Sequence, residues 1–171
     1  MKNSPQCDFN DFMVTENFNY LELIHSNTAK ARGIGNTPSE QIKNNLIASC
    51  KNLWQPARDI LEVPMKINSG YRSPVLNKII GGSTTSTHCY GYAIDFVAPK
   101  FGTTTDIVKT LVQEFTKRGI AWDQIILEFP SSLNSWVHLG WKSGSGAQRK
   151  QVLTAVKNKQ GKTVYLPGIK V

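Results

Sequence analysis

The chain has 171 residues, of which 40% are hydrophobic and 19% are charged, and its formal net charge at pH 7 is +8. This composition is ordinary for a globular protein and excludes an intrinsically disordered chain, which would be poorer in apolar residues. The length suits one domain with a sizeable core. We therefore expect a single domain over 1–171, with an N-terminal arm at 1–16 and a core at about 17–168.

The charge and hydropathy patterns restrict where the protein acts and what it binds. No apolar run approaches the ~20 residues of a membrane-spanning helix, so membrane insertion is not expected. The first residues lack the apolar stretch of a secretory signal peptide, which predicts synthesis in the cytoplasm. The positive charge predicts attraction to a polyanion such as an anionic cell wall. Because the basic residues are spread along the chain and form no Lys/Arg block, nucleic acid is not an expected partner.

The helix signals fall mainly in the first half of the chain and indicate an α+β domain. A short helix is entered at Asn17 or Asn19. Thr37 is the predicted N-cap of a long amphipathic helix, with Glu40 completing a capping box three residues later. Pro56 is expected to kink that helix or to begin a second segment. A second amphipathic helix over 103–119 is predicted to stop at its final glycine.

Strand patterns alternate with these helices and then dominate the second half of the chain. The predicted strands are 66–71, 92–97, 123–129, 136–141, 151–157 and 162–166. We expect the third and fourth strands to form one antiparallel hairpin and the last two to form another. The sequence therefore predicts a central antiparallel sheet with helices packed against it.

Two histidines and one aspartate carry the strongest chemical signal. His88 and Asp95 lie seven residues apart in the segment STHCYGYAID, and His138 lies downstream in WVHLG. Three such ligands leave the fourth position of a tetrahedral zinc open, as in catalytic sites, where the metal lowers the pKa of water to about 7. Asp95 is also an ionised group inside an apolar strand, which is costly without a partner or metal. The remaining histidine, His25, is predicted at a helix end or on the surface.

The cysteines and two charged residues offer further candidates. The three cysteines form no CxxC pair, so we expect reduced thiols, and Cys89 would face away from His88 on a regular strand.

Arg72 follows a strand end, where a guanidinium can clamp a carbonyl or carboxylate. Glu128 lies in the strand expected beside His138 and is the candidate general base, whereas Asp123 lies at the far end of that strand. The alternatives are a surface arginine and a plain strand glutamate.

Several spaced motifs together resemble a known enzyme family. They are SGYRSPVLN at 69–77, GG at 81–82, SxHxxGxAxD at 86–95 and WVH at 136–138. The pattern resembles the zinc D-alanyl-D-alanine carboxypeptidase and L-alanyl-D-glutamate endopeptidase family, in particular its compact phage and prophage branch. The resemblance runs over about 17–166. It implies the Hedgehog/DD-peptidase fold and enzymes that cut the peptides of bacterial cell walls.

The resemblance implies a role for five residues of this chain. His88, Asp95 and His138 match the ligands of one zinc ion, Zn2+. Arg72 matches the arginine that polarises the substrate, and Ser86 matches the serine that begins the motif, supports the site and contacts substrate.

One position departs from the pattern of several relatives. The catalytic acid of those relatives stands three residues before the last histidine, where this chain has Ser135, so the implied substitute is Glu128. The resemblance then implies a monomeric zinc metallopeptidase that hydrolyses peptidoglycan stem peptides, as a DD-carboxypeptidase or endopeptidase. Such a phage-type lysis enzyme would act on cell-wall peptidoglycan in the periplasm after release from the cytoplasm. The alternative is a zinc-containing, non-catalytic module of the same fold that binds cell wall or protein.

Overall fold

A computed structural model describes residues 11–170. The helices are α1 (Tyr20–Ile24), α2 (Asn27–Arg32), α3 (Glu40–Ser49), α4 (Gln55–Leu61), α5 (Pro74–Ile79) and α6 (Thr104–Arg118), with a π-helical segment at Cys50–Trp54 and a 3₁₀ helix at Thr87–Tyr90. The strands are β1 (Lys66–Ser69), β2 (Ala93–Val97), β3 (Gln124–Glu128), β4 (Trp136–Gly140), β5 (Gln151–Lys157) and β6 (Thr163–Pro167). Within 11–170, no helix is both long enough and apolar enough to span a bilayer.

The six strands form one sheet in the order β1-β2-β4-β3-β5-β6. The predicted α+β class and both predicted hairpins, β3–β4 and β5–β6, are confirmed. The expectation of an antiparallel sheet holds for every neighbouring pair except β3 and β5, which run parallel. The chain reverses direction between β3 and β4 and again before β5, so β5 joins the free side of β3 in the same direction. The sheet is therefore mixed.

Most helix boundaries follow from local capping chemistry. Asn19 caps α1, and its side chain accepts a hydrogen bond from the backbone N–H of Glu22 at 2.9 Å. Gly119 ends α6 in the left-handed conformation at φ 66°, as predicted. The prediction that Thr37 caps the long helix is wrong, because α3 begins at Glu40 and Ser39 is its N-cap. Both residue types cap helices, and sequence alone did not separate them.

The long helical stretch passes Pro56 without breaking. The five residues before α4 widen into the π-helical segment, in which the Gln55 N–H donates to the Cys50 carbonyl. Pro56 is the second residue of α4, which continues directly from that π-helical segment. The widened turn accommodates the proline ring, which would otherwise clash with a carbonyl one turn earlier. A second α-helical segment therefore starts beside the proline, at Gln55, and the backbone stays helical through the π turn before it.

The two faces of the sheet have different roles. One face is closed by the helices, and its alternate strand residues are completely buried: Ile94, Phe96, Ile125, Leu127, Val137 and Leu139. The opposite face presents Asp95, His138 and Ile126 side by side, because these residues are direct partners across β2, β4 and β3. A period of two along each strand therefore separates the core from the polar face.

Candidate metal centre and catalytic cleft

Two of the predicted ligands meet through strand register. Asp95 on β2 lies directly opposite His138 on β4. Their side chains project from the same face, and His138 Nδ1 is 2.9 Å from Asp95 Oδ1. The pairing of two strands that are distant in sequence thus brings a carboxylate and an imidazole together.

The third predicted ligand arrives on a 3₁₀ helix and not on a strand. His88 lies in Thr87–Tyr90, and Gly91, at φ 71°, turns the chain from that helix toward β2. His88 Nε2 is 3.2 Å from Asp95 Oδ1 and 3.2 Å from His138 Nδ1. Cys89 is not a member of this donor group, and burial raises its pKa and so disfavours a thiolate.

The three donor atoms fit a tetrahedral zinc ion. Ligand bonds of about 2.0–2.1 Å give tetrahedron edges of about 3.3 Å, and the edges of this triangle are 2.9, 3.2 and 3.2 Å. Burial alone would raise the pKa of Asp95, but His88 and His138 outweigh it and hold that pKa below its ordinary range. Burial lowers the pKa of His88, which favours the neutral imidazole. Both groups are thus in the protonation state that metal ligands require.

Neighbouring groups fix the orientation of two of these ligands. His88 Nδ1 lies 2.7 Å from the Gly70 carbonyl, so it donates there and leaves Nε2 free for a metal. Arg72 Nη2 donates to Asp95 Oδ2 at 3.2 Å, so Oδ1 is left to face the two histidines. His88 and Asp95 therefore each have one atom held by the protein and one atom turned to the donor triangle.

The donor triangle lies in a cleft of about 590 Å³, which is within the size range of ligand sites. All six side chains predicted to form the site line this cleft: Arg72, Ser86, His88, Asp95, Glu128 and His138. Ser86 is the residue before the 3₁₀ helix, and its carbonyl accepts the Cys89 N–H at 3.1 Å. The fold thus gathers residues that are up to 66 positions apart in the chain, from 72 to 138.

Glu128 is the carboxylate in this cleft that is not tied to the donor triangle. It ends β3, lies beside Trp136 on β4 and is 7% exposed. Burial raises its pKa to about 7, and Asp95 adds to the rise while His138 and Arg72 oppose it. A carboxyl group that changes protonation near pH 7 suits general acid–base chemistry.

Ser135 is not among the residues that line the cleft, and its hydroxyl cannot replace a carboxylic acid. Its hydroxyl donates to the backbone carbonyl of Glu128 at 2.9 Å and lies 2.6 Å from Thr104 Oγ1. The residue three positions before the last histidine thus ties the end of β3 to the start of α6. It contacts the main chain of Glu128, the residue inferred to take over the acid's role.

Sequence reasoning missed the β5–β6 side of the cleft, where Lys157, Thr163 and Tyr165 form the wall. Strand alternation places Thr163 and Tyr165 on one face of β6. Whether that face turns toward the metal centre depends on the register of β3 with β5 and of β5 with β6. That register was not available from the sequence.

Gly70 is predicted to be required for metal binding although it is not a ligand. A Cβ at this position would overlap the backbone carbonyl of Leu23. Gly70→Ala therefore displaces the carbonyl that orients His88, and we expect affinity for zinc to fall about 10–100-fold. Competition with a chromophoric chelator measures this. Gly35→Ala is the matched control, because nothing lies within 4 Å of a Cβ there; equal zinc affinity in both variants would contradict the prediction.

Comparison with known proteins agrees with this geometry. A zinc D-Ala-D-Ala carboxypeptidase of Streptomyces albus G is 29% identical over 86 residues, which are 50% of this chain and 33% of that protein. The chain thus covers about a third of the length of that curated relative. The model of the peptidase M15 family matches residues 16–139, a region that contains the whole donor triangle together with Arg72 and Glu128. On this match, which extends over more than half of its length, the chain belongs to the peptidase M15 family.

Proposed function

We propose that this protein is a zinc-dependent peptidase that hydrolyses amide bonds in the stem peptides of peptidoglycan. The observation that carries the proposal is the convergence of His88, Asp95 and His138 on one point of a cleft that also contains Glu128 and Arg72. The name of the Streptomyces relative supports both the metal and the substrate class. When bound by these donors, zinc supplies a Lewis acid that activates water and polarises an amide carbonyl.

The chain's own residues divide the remaining work. Glu128 takes a proton from the attacking water as a new C–O bond forms at the scissile carbonyl. It then returns that proton to the leaving amine nitrogen as the C–N bond breaks, so protons balance over the cycle. A carboxyl pKa of about 7 allows both steps near neutral pH.

Arg72 stabilises the negative charge that develops on the scissile carbonyl oxygen. Its Nη2 is engaged by Asp95 Oδ2 at 3.2 Å, which orients the guanidinium within the cleft wall. A guanidinium presents five N–H groups, so further donors remain for the substrate. A positioned donor of this kind contributes roughly 3 kcal/mol to the transition state. Ser86, at the same wall, contacts the bound peptide.

The biological setting that we propose is lysis by a monomeric, phage-type enzyme made in the cytoplasm and released to the cell wall. The net charge of +8 would hold such a protein on an anionic wall. In this setting the proposed domain, with its core at about 17–168 and an arm before it, contributes both to attachment and to cleavage.

Release of peptide from purified peptidoglycan tests the activity. We expect mass spectrometry to show fragments from a defined muropeptide whose masses identify the bond cut, as a DD-carboxypeptidase or an endopeptidase product. The fragments should vanish when a chelator is added and return with zinc. If zinc binds stoichiometrically and no bond is cut in several wall types, the protein is instead a binding module of this fold.

A further inference from the structure

The β5–β6 hairpin supplies a wall of the cleft that lies outside the region matched to the family, which ends at residue 139. Glu128, Ala155 and Tyr165 are consecutive partners across β3, β5 and β6. Ala155 is small and completely buried, so the larger side chains on either side of it line the cleft. With strands about 4.8 Å apart, the Cα atoms of Glu128 and Tyr165 are about 10 Å apart.

Lys157 lies two residues further along β5 on the same face. One strand spacing and two residue rises place its Cα about 8 Å from that of Glu128. Its ammonium donates to Thr163 Oγ1 at 2.8 Å and lies 5.3 Å from the centroid of the Phe129 ring. These two contacts hold the charge at the edge of the cleft. Lys157 and Phe129 also line a neighbouring groove of about 340 Å³, so Lys157 lies between the two depressions.

Among the lysines and arginines that line the cleft within residues 11–170, Lys157 is the one that forms no salt bridge, although its charge opposes the rise in the pKa of Glu128. Arg72 pairs with Asp95, and Arg149 binds the buried Asp123 through two contacts of 2.7 Å. Across the described part of the chain, no carboxylate lies within 4.0 Å of the Lys157 ammonium. Because Lys157 lines both depressions, a peptide extended from the metal centre past Glu128 into the second groove would pass this ammonium.

We propose that Lys157 binds a free carboxylate of the substrate peptide, with the Tyr165 hydroxyl as a second donor, and thereby sets the specificity of the cleft. This rests on the proposed peptidase function. The carboxylate is the anion that a peptide offers, and a charge-assisted hydrogen bond to it is stronger than one to an amide. From the spacing of the strands, the group recognised lies about two or three residues from the scissile bond.

Two synthetic peptides of one stem-peptide sequence test the proposal, one with its free carboxylates and one with each converted to an amide. We expect the wild type to prefer the carboxylate form about tenfold in kcat/KM, as one such contact provides. Lys157→Met keeps the apolar stem against Phe129 but removes the charge, and should abolish the preference. Tyr165→Phe should reduce it about two- to fivefold. Lys159→Met, an exposed lysine of the same hairpin, is the control of equal net charge and should keep it.

The possible outcomes separate this proposal from the one on which it rests. The carboxylate site is overturned if Lys157→Met still prefers the carboxylate peptide. It is also overturned if this variant loses kcat/KM equally on both peptides, because that result assigns Lys157 a role through Glu128 or the fold. If the wild type cleaves neither peptide, the proposed function fails. The binding affinities of the two peptides, measured by calorimetry, then still test the carboxylate site. Equal affinities overturn it, and tighter binding of the carboxylate form supports it.

Discussion

His138→Ala is expected to abolish peptide release and the lysis of permeabilised Gram-negative cells. His138 supplies one of the three donors of the proposed centre, and its Nδ1 lies 2.9 Å from Asp95 Oδ1. Loss of an outer-shell partner typically costs 10–100-fold in metal affinity or activity, so loss of a ligand should cost more, at least about a thousandfold in activity. His88→Ala should behave in the same way. The measurements are fragment release, turbidity of cell suspensions and zinc content by mass spectrometry.

The third histidine provides the matched control for this prediction. His25 ends α1, is exposed, and lies 2.9 Å from Asn27 Oδ1, outside the donor triangle. His25→Ala should therefore retain zinc and activity within about twofold. Circular dichroism would show whether His138→Ala keeps its fold, since that side chain is 8% exposed. A folded His138→Ala variant with full activity would rule out the zinc mechanism.

The ligand positions were accessible from sequence because short-range patterns encode them. Alternation along 92–97 and 136–141 put Asp95 and His138 on defined strand faces, and the apolar neighbours of Asp95 marked it as a charge in need of a partner. Gly91 lies between His88 and Asp95 in the sequence, and it adopts φ 71°, a conformation that glycine allows. Residue type and local spacing decide these features, so they can be predicted without knowledge of the fold.

Features that depend on contacts between segments distant in sequence could not be predicted from the sequence. The parallel pairing of β3 with β5 follows from the path of the chain after β4, and no local signal records that path. The placement of Lys157 and Tyr165 in the cleft needs the register of two strand pairs at once. The role of Ser135 likewise could not be predicted, because it depends on the hydrogen bond from its hydroxyl to the Glu128 carbonyl.

Glu128→Gln is expected to lower kcat about 10²–10⁴-fold while zinc content and KM stay close to those of the wild type. The amide has the shape of the carboxyl group but cannot accept the proton, and general acid–base catalysis typically contributes a factor of this size. Because the base must be ionised, wild-type activity should fall as pH decreases below the Glu128 pKa, which burial raises to about 7. A bound cation lowers that pKa, so the midpoint is expected at or below about 7. The residual activity of Glu128→Gln should not show this fall in activity at low pH. An unchanged fall in the variant would assign the titration to another group.

The same substitution should stabilise the metal-free protein at alkaline pH. Burial raises the folded-state pKa of Glu128 from 4.5 to about 7, so its protonated form is favoured by folding. The stability that this group contributes is therefore complete below about pH 4.5 and is lost as pH rises through about 7. Each pKa unit corresponds to about 1.4 kcal/mol, so the loss is on the order of 3 kcal/mol at most. Glutamine does not titrate, so in the presence of chelator the Tm of Glu128→Gln should exceed that of the wild type more at pH 8 than at pH 5. A carboxylate with a purely structural, paired role would show the opposite sign, because its loss would destabilise the fold most where it is ionised.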